Sequence, residues 1–154
     1  DIVATETGLA NPPSALGVTP YEVLIIASLI EEEAALDEER PKIARVIYNR
    51  LERSIPLGID ATIVYALGGD RELTLSDLAV NSPYNTRLVL GLPPTPISAP
   101  GRASIEAALQ PAQGEWLYYV RTDESGVGSH TFAVTQEDFN EAVLICVERE
   151  LGCG

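Results

Sequence analysis

Apolar residues fall into a few blocks along the chain, and their spacing indicates helices. The strongest block follows residues 19–22 (TPYE), which form a capping box with Pro20 at the first helical position. The run that comes next, residues 23–36, is apolar nearly all round at its start. This pattern predicts a central helix that is buried on most sides.

Weaker signals predict further helices. Each of these segments has helical spacing and a start or stop signal at one end; they are residues 41–53, 61–67, 104–109 and 136–151. Asp60 is predicted to be the N-cap of the second segment, and Thr135 the N-cap of the last.

Two short segments have the composition of strands. Residues 116–120 and 130–134 are rich in aromatic and β-branched residues, and a glycine-containing loop separates them, so we expect a hairpin. Residues 1–18 lack periodicity and are expected to form a flexible N-terminal arm, while residues 19–154 form the folded domain. The predicted fold class is therefore α+β, mainly helical with a small antiparallel sheet.

Charge and length narrow the classes of function. The 154 residues carry 23 acidic and 10 basic side chains, a net charge of −13, which argues against nucleic acid or an anionic lipid surface as a partner. The longest apolar run, residues 23–30, is too short to cross a membrane, so we expect no membrane contact by this segment itself. Because the chain does not begin with Met, any targeting or anchoring segment is expected to lie outside it.

Cysteine and histidine are scarce. Cys146 and Cys153 are the two cysteines and His130 the single histidine, so we expect no zinc site, and neither a phosphate-binding loop nor another cofactor motif is present. One buried thiol and one thiol in the tail are favoured for the cysteines. A disulfide is the alternative if Gly152 reverses the chain.

The acidic triplet 31–33 is the most informative feature for chemistry. On a helix, Glu31 neighbours only small residues, at positions 27, 28, 34 and 35, and no cation is evident beside it. A partly desolvated carboxyl group on such a strip can stay protonated near neutrality and act as a general acid. The alternative is a helix-packing seam in which another backbone approaches the small residues.

Other polar residues have structural interpretations beside the functional ones. Glu33 and Arg50 both fall on apolar faces, so we predict that they pair and lock the first two helices. Asp60 is either a cap or a second carboxylate. Asn85 is either a ligand or a turn residue, and His130, at the start of a strand, is more simply structural than catalytic.

Six short motifs occur in one order along the chain: residues 27–34 (ASLIEEEA), 48–51 (YNRL), 60–62 (DAT), 82–86 (SPYNT), 91–97 (GLPPTPI) and 130–132 (HTF). Together they resemble the motifs of the endolytic murein transglycosylases of the YceG-like family. Phe139 is a departure, since it stands before Asn140 where the family commonly has His.

The resemblance implies a lytic transglycosylase that cleaves the β-1,4 bond between MurNAc and GlcNAc within peptidoglycan strands. It gives 1,6-anhydroMurNAc ends, terminates nascent strands and needs no cofactor. The resemblance assigns catalysis to Glu31. Expected substrate-binding residues are Ser28, Asn49, Asp60, Thr62, Ser82, Tyr84, Asn85, Thr86, Gly91, Pro94, Ile97, His130 and Phe132.

The resemblance also implies a location and partners. We expect a parent protein anchored by an N-terminal helix, acting on glycan strands at the extracytoplasmic face of the bacterial cytoplasmic membrane, with cell-wall synthases as further partners. The competing interpretation is a catalytically inactive module that binds peptidoglycan or assists cell-wall synthesis. Retention of Glu31 argues against it, because sugar binding alone does not need a carboxyl group on a cleared strip.

Overall fold

The fold is helical with one small sheet, which confirms the predicted α+β class. The computed structural model describes residues 6–123 and 126–153. The helices and strands are α1 (Pro20–Glu33), α2 (Arg40–Glu52), α3 (Asp60–Ala66), α4 (Arg102–Leu109), β1 (Tyr118–Arg121), β2 (His130–Ala133) and α5 (Gln136–Glu148).

Helix α1 is the centre of the core, as predicted. Its N-terminus is a complete capping box: the Thr19 hydroxyl accepts from the Glu22 amide, and the Glu22 carboxylate accepts from the Thr19 amide. Residues 25–30 are all buried, and the helix packs against α2, α3 and α4. The helix reaches the surface at both ends, in its first turn at Pro20 and Tyr21 and in its last turn at residues 31–33.

Helix α3 begins one residue earlier than predicted, at the residue expected to be its N-cap. Asp60 is its first residue, and Ile59, the observed N-cap, makes no side-chain capping bond. The capping role predicted for Asp60 is therefore wrong. Its carboxylate instead forms a two-bond ion pair with Arg87, with Nε–Oδ1 and Nη2–Oδ2 distances of 2.7 and 3.0 Å. A guanidinium that offers both donors in one plane is a stronger partner for a carboxylate than a backbone amide.

The predicted hairpin forms between β1 and β2, which pair antiparallel with Tyr119 opposite Phe132 and Arg121 opposite His130. Side chains alternate across a strand, so these four residues share one face. Tyr118, on the other face, stacks on Phe139 of α5 with ring centroids 4.9 Å apart.

The C-terminus differs from the favoured prediction. Thr135 caps α5 as expected, but the helix ends at Glu148 rather than at 151. The chain then turns back, with Gly152 at a φ of 73°, and Cys146 and Cys153 form a disulfide. The separate-thiol interpretation is therefore wrong, because this reversal brings the two Cα atoms to 5.9 Å.

Part of the segment expected to be an arm contacts the core. Leu9 is buried within the main apolar cluster, and Leu16 and Val18 pack against that cluster. Residues 1–5 of the predicted arm lie outside the described residues. Within the described ranges, no helix is long and apolar enough to cross a bilayer.

Candidate active site

Glu31 lies in a polar cluster between α1 and α4. Its Oε2 atom is 3.2 Å from Arg40 Nη1 and also accepts a hydrogen bond from the hydroxyl of Ser104. Arg40 Nη1 donates to Ser104 Oγ at 2.7 Å, and Arg40 Nε donates to Asp37 at 2.7 Å. The expectation of no cation beside Glu31 is therefore wrong, because Arg40, at the start of α2, reaches back to it.

The strip of small residues near Glu31 is a packing seam. Segment 97–104 lies against it: Ser28 Oγ accepts from the Ile97 amide at 3.0 Å. A Cβ at Gly101 would lie 3.6 Å from Glu31 Oε1. The side chain of Glu31 retains 30% of its exposure. The geometry of this strip thus fits the packing alternative.

Glu33, two residues further on, points to the opposite side of the helix turn. Its Oε1 atom accepts a hydrogen bond of 2.6 Å from the Tyr119 hydroxyl. Burial raises the pKa of the Glu33 carboxyl, the nearby charge of Asp60 adds to this, and the bond from Tyr119 and the charge of His130 oppose it. Glu33 therefore holds its proton to higher pH than an ordinary glutamate.

The predicted Glu33–Arg50 pair is not formed. In the described part of the chain Arg50 makes no ion pair within 4.0 Å; it donates instead to the carbonyls of Leu117 and Pro56, at 2.6 and 2.8 Å. Its guanidinium also lies 5.1 Å from the Tyr118 ring centroid. These carbonyls satisfy the cation, so Tyr119 rather than Arg50 is the partner of Glu33.

A cavity of about 610 Å³ opens beside Glu33, and we call it the Glu33 cavity. Asp60, Tyr119 and His130 line it together with Glu33. Arg50 adds a cation to the same wall. Such a volume is of the size that ligand sites in proteins commonly have, and it combines carboxyl groups, a cation and aromatic rings.

His130 is held at the Glu33 cavity by Glu39. One oxygen of the Glu39 carboxylate accepts from the His130 amide and the other pairs with Nδ1, both at 2.8 Å. The imidazole meets the Tyr119 ring edge-on, with centroids 5.5 Å apart. Glu39 thereby fixes the ring that packs against Tyr119, the donor to Glu33.

Several expected substrate-binding side chains are buried and bonded within the protein. For example, the Asn85 amide donates to the carbonyls of Leu78 and Val80, and Thr86 Oγ1 accepts from the Ile59 amide at 2.9 Å. Ser28, Asn49, Thr62, Asn85, Thr86 and Ile97 are all buried, and the polar side chains among them bond within the protein, so contact of these residues with a ligand stays a prediction.

The remaining expected residues lie elsewhere on the molecule. Ser82 accepts from the Tyr84 amide, and the Tyr84 hydroxyl pairs with Thr95 at 2.8 Å. Gly91 and Pro94 line a second cavity, of about 620 Å³. Phe132 packs against the core. Of the expected set, only Asp60 and His130 line the Glu33 cavity.

Sequence reasoning missed Arg40, Ser104, Glu39 and Tyr119. The hairpin pattern contained a usable signal for Tyr119, because pairing it with Phe132 puts it on the face towards the helices. The others depend on contacts between distant segments. Among the described residues, no three His, Cys, Asp or Glu side chains are grouped as a metal site would require.

Comparison with known proteins identifies the relatives of this chain. The model of the YceG-like family matches residues 3–144. Endolytic murein transglycosylases of Bacillus subtilis and Streptococcus pneumoniae are 42% and 36% identical over 81% and 87% of this chain. A crystal structure of a yceG-like protein from Listeria monocytogenes superposes with a TM-score of 0.78, at 36% identity over 91% of this chain.

The chain spans only part of each relative: 34% and 25% of the two transglycosylases and 43% of the Listeria protein. The family match nevertheless covers most of the present sequence, and it includes α1, the hairpin and much of α5. On these grounds the chain belongs to the YceG-like family.

Proposed function

We propose that this domain is a lytic transglycosylase that cleaves peptidoglycan glycan strands, with Glu33 as its general acid and base. The names of the related enzymes support the activity. The observation that carries the assignment is the environment of Glu33: a carboxyl group with a raised pKa that lines a cavity of about 610 Å³ and is oriented by the Tyr119 hydroxyl.

Glu33 fits the role of general acid better than Glu31, the residue that the sequence motif indicated. A general acid must be protonated when the substrate binds. Glu31 already has one carboxyl oxygen engaged by the Arg40 guanidinium and the Ser104 hydroxyl, and it lines neither of the two cavities described above. Glu33 has a neutral donor and a partly desolvated position.

The proposed reaction needs one carboxyl group and no water. Glu33 gives its proton to the glycosidic oxygen as the bond from MurNAc C1 to that oxygen breaks, and GlcNAc leaves as an alcohol. The MurNAc C6 hydroxyl then attacks C1, and its proton returns to Glu33. The new C1–O6 bond closes the 1,6-anhydro ring, so Glu33 is restored and all atoms balance.

The positive charge that develops at C1 needs stabilisation. Asp60 lines the same cavity, and its two-bond pairing with Arg87 holds its carboxyl group at a fixed position. The pKa of Arg87 is raised by this pair, so the guanidinium stays charged throughout. Asp60 thus acts by charge, while the sugar's own C6 hydroxyl takes the place of the second carboxyl group that a hydrolase requires.

The proposed cellular location follows from the proposed substrate, peptidoglycan. Peptidoglycan lies outside the cytoplasmic membrane, so we propose an extracytoplasmic site of action for a parent protein held by a membrane anchor. Cleavage close to where strands are made would terminate their elongation, with cell-wall synthases as neighbours. A catalytically inactive glycan-binding module would use the same cavity, and a turnover assay separates the two.

Three isosteric variants test the assignment. Glu33→Gln should abolish the release of anhydro products, because an amide neither gives nor retrieves the proton. Glu32→Gln, an exposed neighbour in the same turn, is the matched control and should retain activity. Glu31→Gln should also retain most of it. Loss of activity in Glu31→Gln with full activity in Glu33→Gln would overturn the assignment.

The nucleophile is tested separately. Glycan strands digested in ¹⁸O water should yield 1,6-anhydromuramic ends without the label. Labelled reducing ends in the mass spectrum would identify water as the nucleophile and exclude transglycosylation. Release of no fragments by the unaltered protein, under conditions in which it stays folded, would favour the binding module.

A further inference from the structure

The disulfide-closed segment 146–153, which we call the tail loop, borders the Glu33 cavity. Leu151, Gly152 and Cys153 line that cavity together with Glu33 and Asp60, which lie on α1 and α3. Helix α5 contributes Phe139, Asn140 and Val143 to the same boundary. The cavity is therefore enclosed partly by a piece of chain that follows the last helix.

Among residues 6–123 and 126–153, few contacts other than the disulfide hold the tail loop in place. The amides of Glu150 and Leu151 donate to the carbonyls of Val147 and Cys146 at 3.1 Å each, and Arg149 Nη1 donates to the Thr122 carbonyl at 2.5 Å. Gly152 is exposed, and Leu151 and Cys153 are only partly buried. Little apolar burial therefore holds the loop against the rest of the fold.

The tail loop contains an unfavourable backbone conformation, which destabilises its folded position. Glu150 has a φ of 54°, in the left-handed region that residues with a side chain seldom adopt, and it does so on the exposed surface. Cys146, by contrast, is fully buried in α5 and gives the bond a fixed anchor. The disulfide is thus the contact that keeps Leu151 to Cys153 at the cavity.

We infer that the tail loop is a wall of the glycan-binding site and that its disulfide sets how tightly a glycan strand is held there. This inference rests on the proposed function of the Glu33 cavity. Opening the disulfide lets the loop leave, and a ligand in the cavity then loses the contacts made by Leu151 and Cys153. The acid itself is untouched, since Glu33 and Tyr119 lie on α1 and β1.

The test compares the oxidised protein with protein reduced by a water-soluble phosphine. In this reaction the phosphine gives two electrons to the disulfide and becomes its oxide, with oxygen and two protons supplied by water. The reduced protein should bind defined MurNAc–GlcNAc oligomers about five- to tenfold more weakly, as expected when one wall of a site is lost. In turnover, KM should rise while kcat stays within about twofold.

Two variants accompany the reduction. Cys153→Ser should behave like the reduced protein, and the phosphine should leave its affinity unchanged. Leu144→Ala, an exposed change on the same helix away from the cavity, is the matched control and should bind like the unaltered protein. If unfolding temperature falls on reduction while affinity stays the same, the disulfide serves stability alone and the inference is overturned.

Hydrogen exchange tests the movement of the loop without relying on activity. On reduction, the amides of residues 150–153 should exchange faster, while those of α1 stay protected. Unchanged exchange in the tail loop would overturn the inference by itself. Absence of both oligomer binding and cleavage in every form, with faster exchange of the loop, would instead overturn the proposed function and the glycan role assigned to the wall.

Discussion

At the residue scale, the two outer glutamates of the triplet have opposite electrostatic environments. Glu31 is held by Arg40 and Ser104, whereas Glu33 is partly desolvated and bonded to a neutral hydroxyl. Residues two apart on a helix point about 200° apart, so a single turn can supply both environments. The spacing marks the triplet as unusual, but it does not assign the two environments, because those come from α2, α4 and β1.

The hydrogen bond from Tyr119 to Glu33 predicts a shift in the pH–rate profile. That bond lowers the pKa of Glu33, so Tyr119→Phe should raise it. Activity that requires protonated Glu33 is lost as pH rises through this pKa, and the alkaline limb of kcat should therefore move to higher pH. The pH–rate profile of the variant checks this, and Tyr118→Phe, which leaves the Glu33 bond intact, is the control. An alkaline limb that moves to lower pH would contradict the argument.

The same carboxyl group predicts how stability depends on pH. The pKa of Glu33 in the folded protein is raised above its usual 4.5. At any pH between 4.5 and the raised pKa, the folded protein therefore binds more protons than the unfolded chain. The stabilisation that comes from protonated Glu33 is fully present below about pH 4.5 and is lost as the pH rises through the pKa of Glu33 in the folded protein. Glu33→Gln should therefore be more stable than the unaltered protein at pH 7, with the gain shrinking towards pH 4. Urea unfolding at both pH values measures this, and equal gains would contradict it.

At the scale of elements, Arg40 joins three segments. It bonds to Glu31 on α1, to Ser104 on α4 and to Asp37 in the turn before α2. The side chains of Arg40 and Glu31 are 14% and 30% exposed, so the pair lies between the surface and buried classes. The Arg40–Glu31 pair therefore joins these three segments. The candidate acid, Glu33, lies in the Glu33 cavity on the other side of α1.

A double-mutant cycle on Arg40 and Glu31 measures how strongly the pair stabilises the fold. Arg40→Met leaves Glu31 without its cation and should lower the free energy of unfolding by about 1–3 kcal/mol, less than for a fully buried pair because solvent screens Glu31. Adding Glu31→Gln should recover part of that loss. Chemical denaturation of the two single variants and the double variant gives the coupling energy, and a value near zero would show that the pair does not join the segments.

The elements themselves were largely predictable from sequence. The capping box at Thr19 and the cap at Thr135 are local signals, and both helices begin as expected. The prediction that Asp60 caps a helix is wrong because its carboxylate pairs with Arg87, a residue 27 positions away that local sequence does not reveal as a partner. Arg50 was misassigned for a related reason: carbonyls of the loop before α3 and of the residue before β1 satisfy it.

At the scale of the whole molecule, the acidic surface should affect encounters with the proposed substrate, peptidoglycan. A net charge of −13 repels a polymer that carries carboxylates. Cleavage of intact peptidoglycan should therefore speed up as salt rises from about 10 to about 150 mM, where the screening length falls from about 30 to about 8 Å. Initial rates across this range measure the effect, and sucrose in place of salt is the control. A steady fall with salt would show that cationic contacts dominate instead.

Two parts of helix α1 differ in how well they tolerate substitution, because one part is buried and the other lies partly at the surface. Residues 25–30 are enclosed on every side, so a larger or smaller side chain there disturbs the packing of the whole domain. The last turn, by contrast, lies partly at the surface: Glu31 joins neighbouring segments through Arg40, Glu32 is exposed and Glu33 lines the Glu33 cavity. Random variation confined to Glu32 and Glu33 would therefore explore new reactivity on a largely unchanged scaffold, whereas the same number of substitutions one turn earlier would be removed by selection for folding before any chemistry was sampled.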